Sequence, residues 1–176
     1  IAIKKNLDVT VLELENRVMK RVVSSEVSSF FLDKHETAGV SFKFNTSVIE
    51  IEDIRKQKRI ICADGTIITT DAVVIGVGIK PNIKLALACG LECSNGIVVD
   101  DHGQTADPCI FAVGDCSNHP NKIFEQRLRL ESVQNAVEQA KSVAAGISGN
   151  RNPYQEVPWF WSDQYDLKLQ IAGISQ

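Results

Sequence analysis

Four short apolar runs set the fold class of this chain: Val9-Thr10-Val11-Leu12, Ala72-Val73-Val74-Ile75, Ile97-Val98-Val99 and Ile110-Phe111-Ala112-Val113. Runs of this length without polar alternation read as strands buried on both faces. The first ends at Glu13. The second runs into Gly76-Val77-Gly78-Ile79-Lys80-Pro81-Asn82, and the last ends in Gly114-Asp115. Helical segments stand between and after them. Ser24 or Ser25 offers an N-cap, with Glu26 in the first turn. Val27, Phe30, Phe31 and Ala38 then fall near one helix face, and Gly39 stops it. A longer helix is expected over Ser132 to Ile147. Its stripe of Val133, Ala136, Val137, Ala140, Val143, Ala144 and Ile147 fits a period of about 3.6 residues.

The remaining segments fill in an α/β chain. Ile1 to Asn6 reads as a helix tail, with Asn6 able to take the left-handed closing conformation. Val40, Phe42 and Phe44 alternate with polar residues as in a half-buried strand. Val48 to Glu52 and Arg59 to Cys62 form a strand pair, and Asp64-Gly65 is a hairpin signal leading into Thr66 to Thr69. Pro81 suits the first turn of a short helix from Ile83 to Cys89. The aromatic stretch from Pro158 leads into a strand from Leu167 to Ala172. The chain starts without Met and ends on a segment with no core of its own, so it is expected to lie within a longer sequence.

Composition narrows the function classes. Apolar residues make up 44% and charged residues 23% of 176 residues, as in a globular protein. A net charge of -3 without a dense basic stripe argues against nucleic acid as the main partner. No run approaches the roughly 18 apolar residues of a membrane helix. Cys62, Cys89, Cys93, Cys109 and Cys116 form no CxxC pair and no zinc set, and they read as thiols in a reducing compartment, the cytoplasm. His35, His102 and His119 read as solvated residues without a role.

Several positions carry chemistry, each with a plainer alternative. Glu13 stands where a Rossmann half-domain places the carboxylate that meets the ribose hydroxyls of NAD, and its charge would repel the 2'-phosphate of NADPH. The alternative is a solvated loop residue, and Arg17 or Arg21 is able to approach a 2'-phosphate. Gly114-Asp115 suits a ribityl hydroxyl of FAD or a plain turn. Gly76, Val77 and Gly78 suit a crossing between two nucleotide domains or a tight turn. Glu131, Ser132 and Val133 open the long helix, whose free N–H groups favour negative charge, while Ser132 also serves as a cap. Trp159-Phe160-Trp161 supplies an indole for stacking on a flat ring, or core for a following domain.

The order and spacing of these pieces carry a resemblance. DAVVIGVGIKPN (71–82) and TADPCIFAVGD (105–115) resemble the second half of FAD-dependent pyridine nucleotide-disulfide oxidoreductases. RLESVQNAVEQAK (129–141), PWFWSDQYDLKLQIAG (158–173) and VTVLELENRVMKRVV (9–23) are similar to the oxygenase-type ferredoxin and rubredoxin reductase branch. The resemblance implies parts of two Rossmann-like (three-layer ββα) nucleotide-binding domains plus the start of a C-terminal α+β domain. The expected boundaries are 1–75 for the NAD(H) part, 76–155 for the FAD part and 156–176 for the C-terminal start.

It also implies roles. Glu13 would bind the NAD adenosine ribose, and Gly76, Val77 and Gly78 would line the nicotinamide side. Asp115, beside Gly114, would hold the ribityl chain. Glu131 and Ser132 would approach the carboxamide, the Val133 backbone the flavin O2, and Trp161 would flank the flavin. Hydride would pass from NADH to FAD, then single electrons to a [2Fe–2S] ferredoxin or a rubredoxin, with no metal and no catalytic side chain required. Arg127 and Arg129 are candidate contacts for that acidic partner. Both glycine-rich nucleotide loops are missing, so the isolated chain is expected to bind FAD poorly. Alternatives are an NADH oxidase, a nitrite-reductase-like subunit or a non-catalytic module. Exposed sheet edges would also permit homo-oligomers.

Overall fold

A computed structural model describes residues 1–174, which divide into two compact units, 1–77 and 78–174. In the first unit a 3-10 turn, Ile3–Lys5, closes on Asn6 in the left-handed conformation, φ 56°. Strand β1 (Val9–Leu12) and strand β2 (Val40–Lys43) pair in parallel, Val9 opposite Val40. Helix α1 (Ser25–Thr37) makes the crossover. Ser24 is its N-cap, with Oγ accepting the Val27 N–H at 3.4 Å. The helix ends before Gly39, whose φ of 94° suits a residue without Cβ.

The buried face of α1 differs from the expected one. Phe31 is buried, but Phe30 is 47% exposed and Ser28 lies inward in its place. Ser28 is tolerated there because its hydroxyl donates to the Val18 carbonyl at 2.5 Å. A three-stranded antiparallel meander follows: β3 (Val48–Ile54), β4 (Gln57–Cys62) and β5 (Ile67–Thr70). The first two strands reach further than the charged sequence suggests, because Arg55 at φ 57° makes a tight turn. Ile60 and Cys62 are the buried residues of this sheet.

Residues 72–75, expected as a buried strand, form none. Val74 is 97% exposed and Ile75 65% exposed. A β-branched run becomes a strand only when a neighbour takes up its amides, and no described strand lies beside it.

In the second unit helix α2 is one turn, Lys84–Ala88. Strand β6 (Ile97–Val98) pairs in parallel with β7 (Ser117–Asn121), and β7 pairs antiparallel with β8 (Gln126–Leu128). The sequence of β7, Ser-Asn-His-Pro-Asn, gave no strand signal. Its Pro120 lies past the end of the β6 pairing, so the missing N–H breaks no ladder bond on that side. The run 110–113, expected as a strand, makes only a single bridge, Gln104 to Phe111. Helix α3 (Val133–Ile147) is followed by the hairpin of β9 (Trp159–Gln164) and β10 (Leu167–Ala172).

Of the apolar stripe expected to bury α3, only Val143 is fully buried. Val133, Val137 and Ile147 are 61%, 43% and 66% exposed, while Asn135, Gln139 and Val143 are buried. The inward ridge is polar because it meets the main chain of loops rather than apolar strand side chains. Of the histidines read as solvated, only His119 is buried, and the other two are partly exposed. His119 is buried, His102 is half-buried 3.5 Å from Asp101, and His35 sets its ring edge against Phe42.

Candidate functional site

The two units hold different parts of the expected site. Glu13 and Gly76-Val77 lie in the first. Gly78, Gly114, Asp115, Glu131, Ser132, Val133 and Trp161 lie in the second.

Glu13 follows β1 directly. Its N–H donates to the Lys43 carbonyl and its own carbonyl accepts from Thr46, both at 2.9 Å, so the backbone is held as the strand continues. Its carboxylate accepts the Glu15 N–H at 2.9 Å. That bond orients one oxygen as a turn cap and leaves acceptor capacity on the other. Arg17, a possible contact for a 2'-phosphate, is committed elsewhere. Its guanidinium donates to the carbonyls of Val23 at 2.9 Å, Ser24 at 3.2 Å and Lys20 at 3.0 Å. Arg21 is exposed. Lys20 pairs with Glu15 at 2.7 Å, and that bond holds the Glu15 carboxyl below its ordinary range. A Cβ added at Gly76 would meet nothing within 4 Å, so the protein's own packing in this unit does not demand a glycine there.

Gly114 opens a 3-10 turn, Gly114–Cys116, at φ 73°. A Cβ there would come 3.3 Å from the Cβ of Ala136, so glycine serves both the backbone conformation and the close approach of α3. The Gly114 N–H donates to Oε1 of buried Gln139 at 2.7 Å. Asp115 follows, exposed, and its carboxylate has no hydrogen-bond partner among the described residues. Arg129 ties this turn to the start of α3. It donates to the Asp115 carbonyl at 3.0 Å, to the Glu131 carboxylate at 2.8 Å and to Asn95 Oδ1 at 3.1 Å.

Ser132 adopts an extended backbone and caps α3, its Oγ accepting the Asn135 N–H at 3.1 Å. The N–H groups of Val133 and Gln134 remain without partners among the described residues. Thus Gly114, Asp115, Glu131, Ser132 and Val133 are gathered at one end of α3. An open carboxylate stands there with free helix N–H groups. Such a pair accepts hydroxyl protons on one side and favours partial negative charge on the other. Trp161 lies on the exposed face of β9, 45% exposed and stacked on Trp159 with centroids 5.1 Å apart.

Arg127 is exposed and the Arg129 side chain largely covered, and both guanidinium groups are bound within the chain. Arg127 donates to Asn118 Oδ1 at 3.1 Å and to the Val99 carbonyl at 2.6 Å, and also bonds the Asn118 carbonyl. The Arg129 side chain is 11% exposed. The residues that sequence reading missed are Gln139, Asn135, Ser117 and Tyr154. The available signal was Asn135 and Gln139, four apart within an otherwise apolar helix. Tyr154 donates to Asn135 Oδ1 at 3.2 Å, and burial with the Glu156 and Glu138 carboxylates pushes its pKa up to about 12.

The sequence pattern described as pyridine nucleotide-disulphide oxidoreductase matches residues 1–140. The chain belongs to this family. A second pattern, the reductase C-terminal region, matches residues 159–176. Among relatives in the family, the chain is 43% identical to putidaredoxin reductase of Pseudomonas putida over 99% of its length and 42% of the relative's. It is 45% identical to rhodocoxin reductase of Rhodococcus erythropolis, over 98% of the chain and 40% of the relative. Among solved structures it superposes on the ferredoxin reductase for the CYP199A2 system of Rhodopseudomonas palustris with a TM-score of 0.94 at 45% identity, covering 98% of this chain and 43% of that one. The chain thus spans about two fifths of the length of the relatives it matches.

The chemistry of the residues gathered at the start of α3 suits a flavin nucleotide. The open Asp115 carboxylate and the free N–H groups of α3 are complementary to a polyol chain and an electron-rich ring edge. No metal-binding cluster occurs among the described residues, and no helix is long and apolar enough to cross a membrane.

Proposed function

We propose that this chain belongs to an FAD-dependent NADH:ferredoxin or NADH:rubredoxin reductase. The observation that carries the reading is the gathering of Gly114-Asp115 and Glu131-Ser132-Val133 around one end of α3 through Arg129. FAD, when bound, supplies the acceptor for hydride from NADH and the store from which single electrons leave to an iron–sulfur protein or rubredoxin. This chain's residues bind and orient. Asp115 would accept hydrogen bonds from the ribityl hydroxyls, the free N–H at Val133 would donate to the flavin's pyrimidine edge, and Trp161 would stack on the flavin. Glu131 and Ser132 receive the nicotinamide carboxamide, and Gly76, Val77 and Gly78 leave room for the nicotinamide. Glu13 accepts from the adenosine ribose. Because the Arg17 guanidinium donates to three carbonyls, fewer of its N–H groups are open to a 2'-phosphate, and the Glu13 carboxylate would repel one; both points support NADH over NADPH.

The domain reading goes with this: 1–75 for NAD(H), 76–155 for FAD and 156–176 for the start of a C-terminal domain. Five free cysteines support a reducing location, the cytoplasm. The test is anaerobic absorbance of the chain after incubation with FAD and removal of free flavin. Little flavin is expected to be retained, since the chain has neither glycine-rich loop; what is retained should bleach with NADH and be restored by oxidised [2Fe–2S] ferredoxin. Retained flavin that stays oxidised under NADH overturns the reading.

A further inference from the structure

We propose that Asn135 and Gln139 are positioning residues that hold the two cofactor-binding segments in register, an inference that rests on the FAD assignment above. They stand one turn apart on the inward ridge of α3, 0% and 1% exposed. Gln139 Oε1 accepts the Gly114 N–H at 2.7 Å and lies 2.8 Å from Ser117 Oγ. A peptide N–H only donates, so the orientation of the Gln139 amide is fixed. Ser117 Oγ also lies 3.0 Å from the Gly114 carbonyl, which closes the turn from its other side.

Asn135 holds the second segment. Its N–H donates to Ser132 Oγ at 3.1 Å and its Nδ2 to the Leu130 carbonyl at 3.3 Å. The Tyr154 hydroxyl locks its Oδ1 at 3.2 Å. One helix thereby sets the distance between the turn that presents Asp115 and the segment that presents Glu131 and Ser132. An apolar residue at 139 would leave the Gly114 N–H buried without an acceptor. Gln139 Nε2 has no partner among the described residues, so glutamate at this position keeps the acceptor and gives up no bond.

The test compares the unaltered chain with Gln139→Leu and Gln139→Glu. Amide hydrogen exchange at Gly114 is measured against Val143 without FAD, and FAD affinity is measured by flavin fluorescence. Gln139→Leu is expected to speed Gly114 exchange about tenfold relative to Val143 and to weaken FAD about tenfold. Gln139→Glu, which buries a carboxyl but keeps the acceptor, is expected to restore the ratio of Gly114 to Val143 exchange. Equal acceleration at Gly114 and Val143 overturns the proposal, since it would mark a general loss of stability. Unchanged FAD affinity in Gln139→Leu overturns it as well. If the unaltered chain takes up no FAD, in keeping with its lack of both glycine-rich loops, the exchange ratio alone decides whether Gln139 holds the turn.

Discussion

The imidazole of His119 stands edge-on to the ring of Tyr154, with centroids 5.4 Å apart and planes at 67°. Both His119 nitrogens are buried without hydrogen-bond partners among the described residues. Burial, and secondarily the nearby Arg127 charge, hold its pKa below the ordinary 6.5.

The sign of the resulting pH dependence follows. The unfolded chain protonates His119 at higher pH than the folded chain does. Stability is therefore full above about 6.5 and falls as pH drops from there toward the folded-state value. Urea midpoints read by tryptophan fluorescence report the second unit alone, because both tryptophans lie in it. His119→Phe keeps an aromatic edge against Tyr154 and loses no hydrogen bond. It is expected to flatten the decline between about pH 7 and 5. An unchanged slope would remove His119 as its source.

Gly114→Ala places a Cβ on a left-handed backbone, 3.3 Å from Ala136. The conformation alone costs about 1–2 kcal/mol. The same fluorescence titration is expected to show at least that loss. FAD affinity should weaken with it, since Asp115 follows directly.

For the first unit, Glu13→Gln should leave the fold intact, because an amide oxygen is able to replace Oε1 in accepting the Glu15 N–H. NADH affinity, measured by calorimetry, is expected to fall about tenfold on loss of the charged acceptor. Discrimination against NADPH should fall with it. Equal affinities for NADH before and after the change would remove Glu13 from the ribose site.

On α3, Val137→Lys and Ile147→Lys are expected to change stability by no more than about 0.5 kcal/mol, since both positions are exposed. Asn135→Leu, although more apolar, is expected to cost about 1–3 kcal/mol by stranding the Leu130 carbonyl and the Tyr154 hydroxyl. Urea titration distinguishes the two outcomes, and a reversed order would restore the apolar stripe as the buried face.

Much of this was legible in residue order. The β1–α1–β2 unit follows from an apolar run, a serine cap and a stopping glycine, all local signals. The meander follows from alternation and Asp64-Gly65. The site at Gly114-Asp115 and Glu131-Ser132 was visible as a pattern, yet what holds it was not. Gln139 looks like a solvated helix residue until the Gly114 N–H is found facing it. His119 and its strand were hidden because Ser-Asn-His-Pro-Asn has no intrinsic preference for a sheet, and only the partners at β6 and β8 place it there. Arg127 and Arg129 stood out in the sequence by charge alone, and their bonds to the Val99, Asn118 and Asp115 carbonyls were not legible because sequence does not reveal which carbonyls a guanidinium will reach.

The extended run from Ala72 to Val77 bears on how the molecule behaves in a tube. It carries no charge, has no described strand beside it and turns Val74, Ile75 and Val77 toward water. Segments of this kind are adhesive toward one another. Light scattering from the purified chain should therefore rise steeply with concentration. A lysine at Val74 should act as a gatekeeper and keep the solution clear, at little cost to a side chain that touches almost nothing.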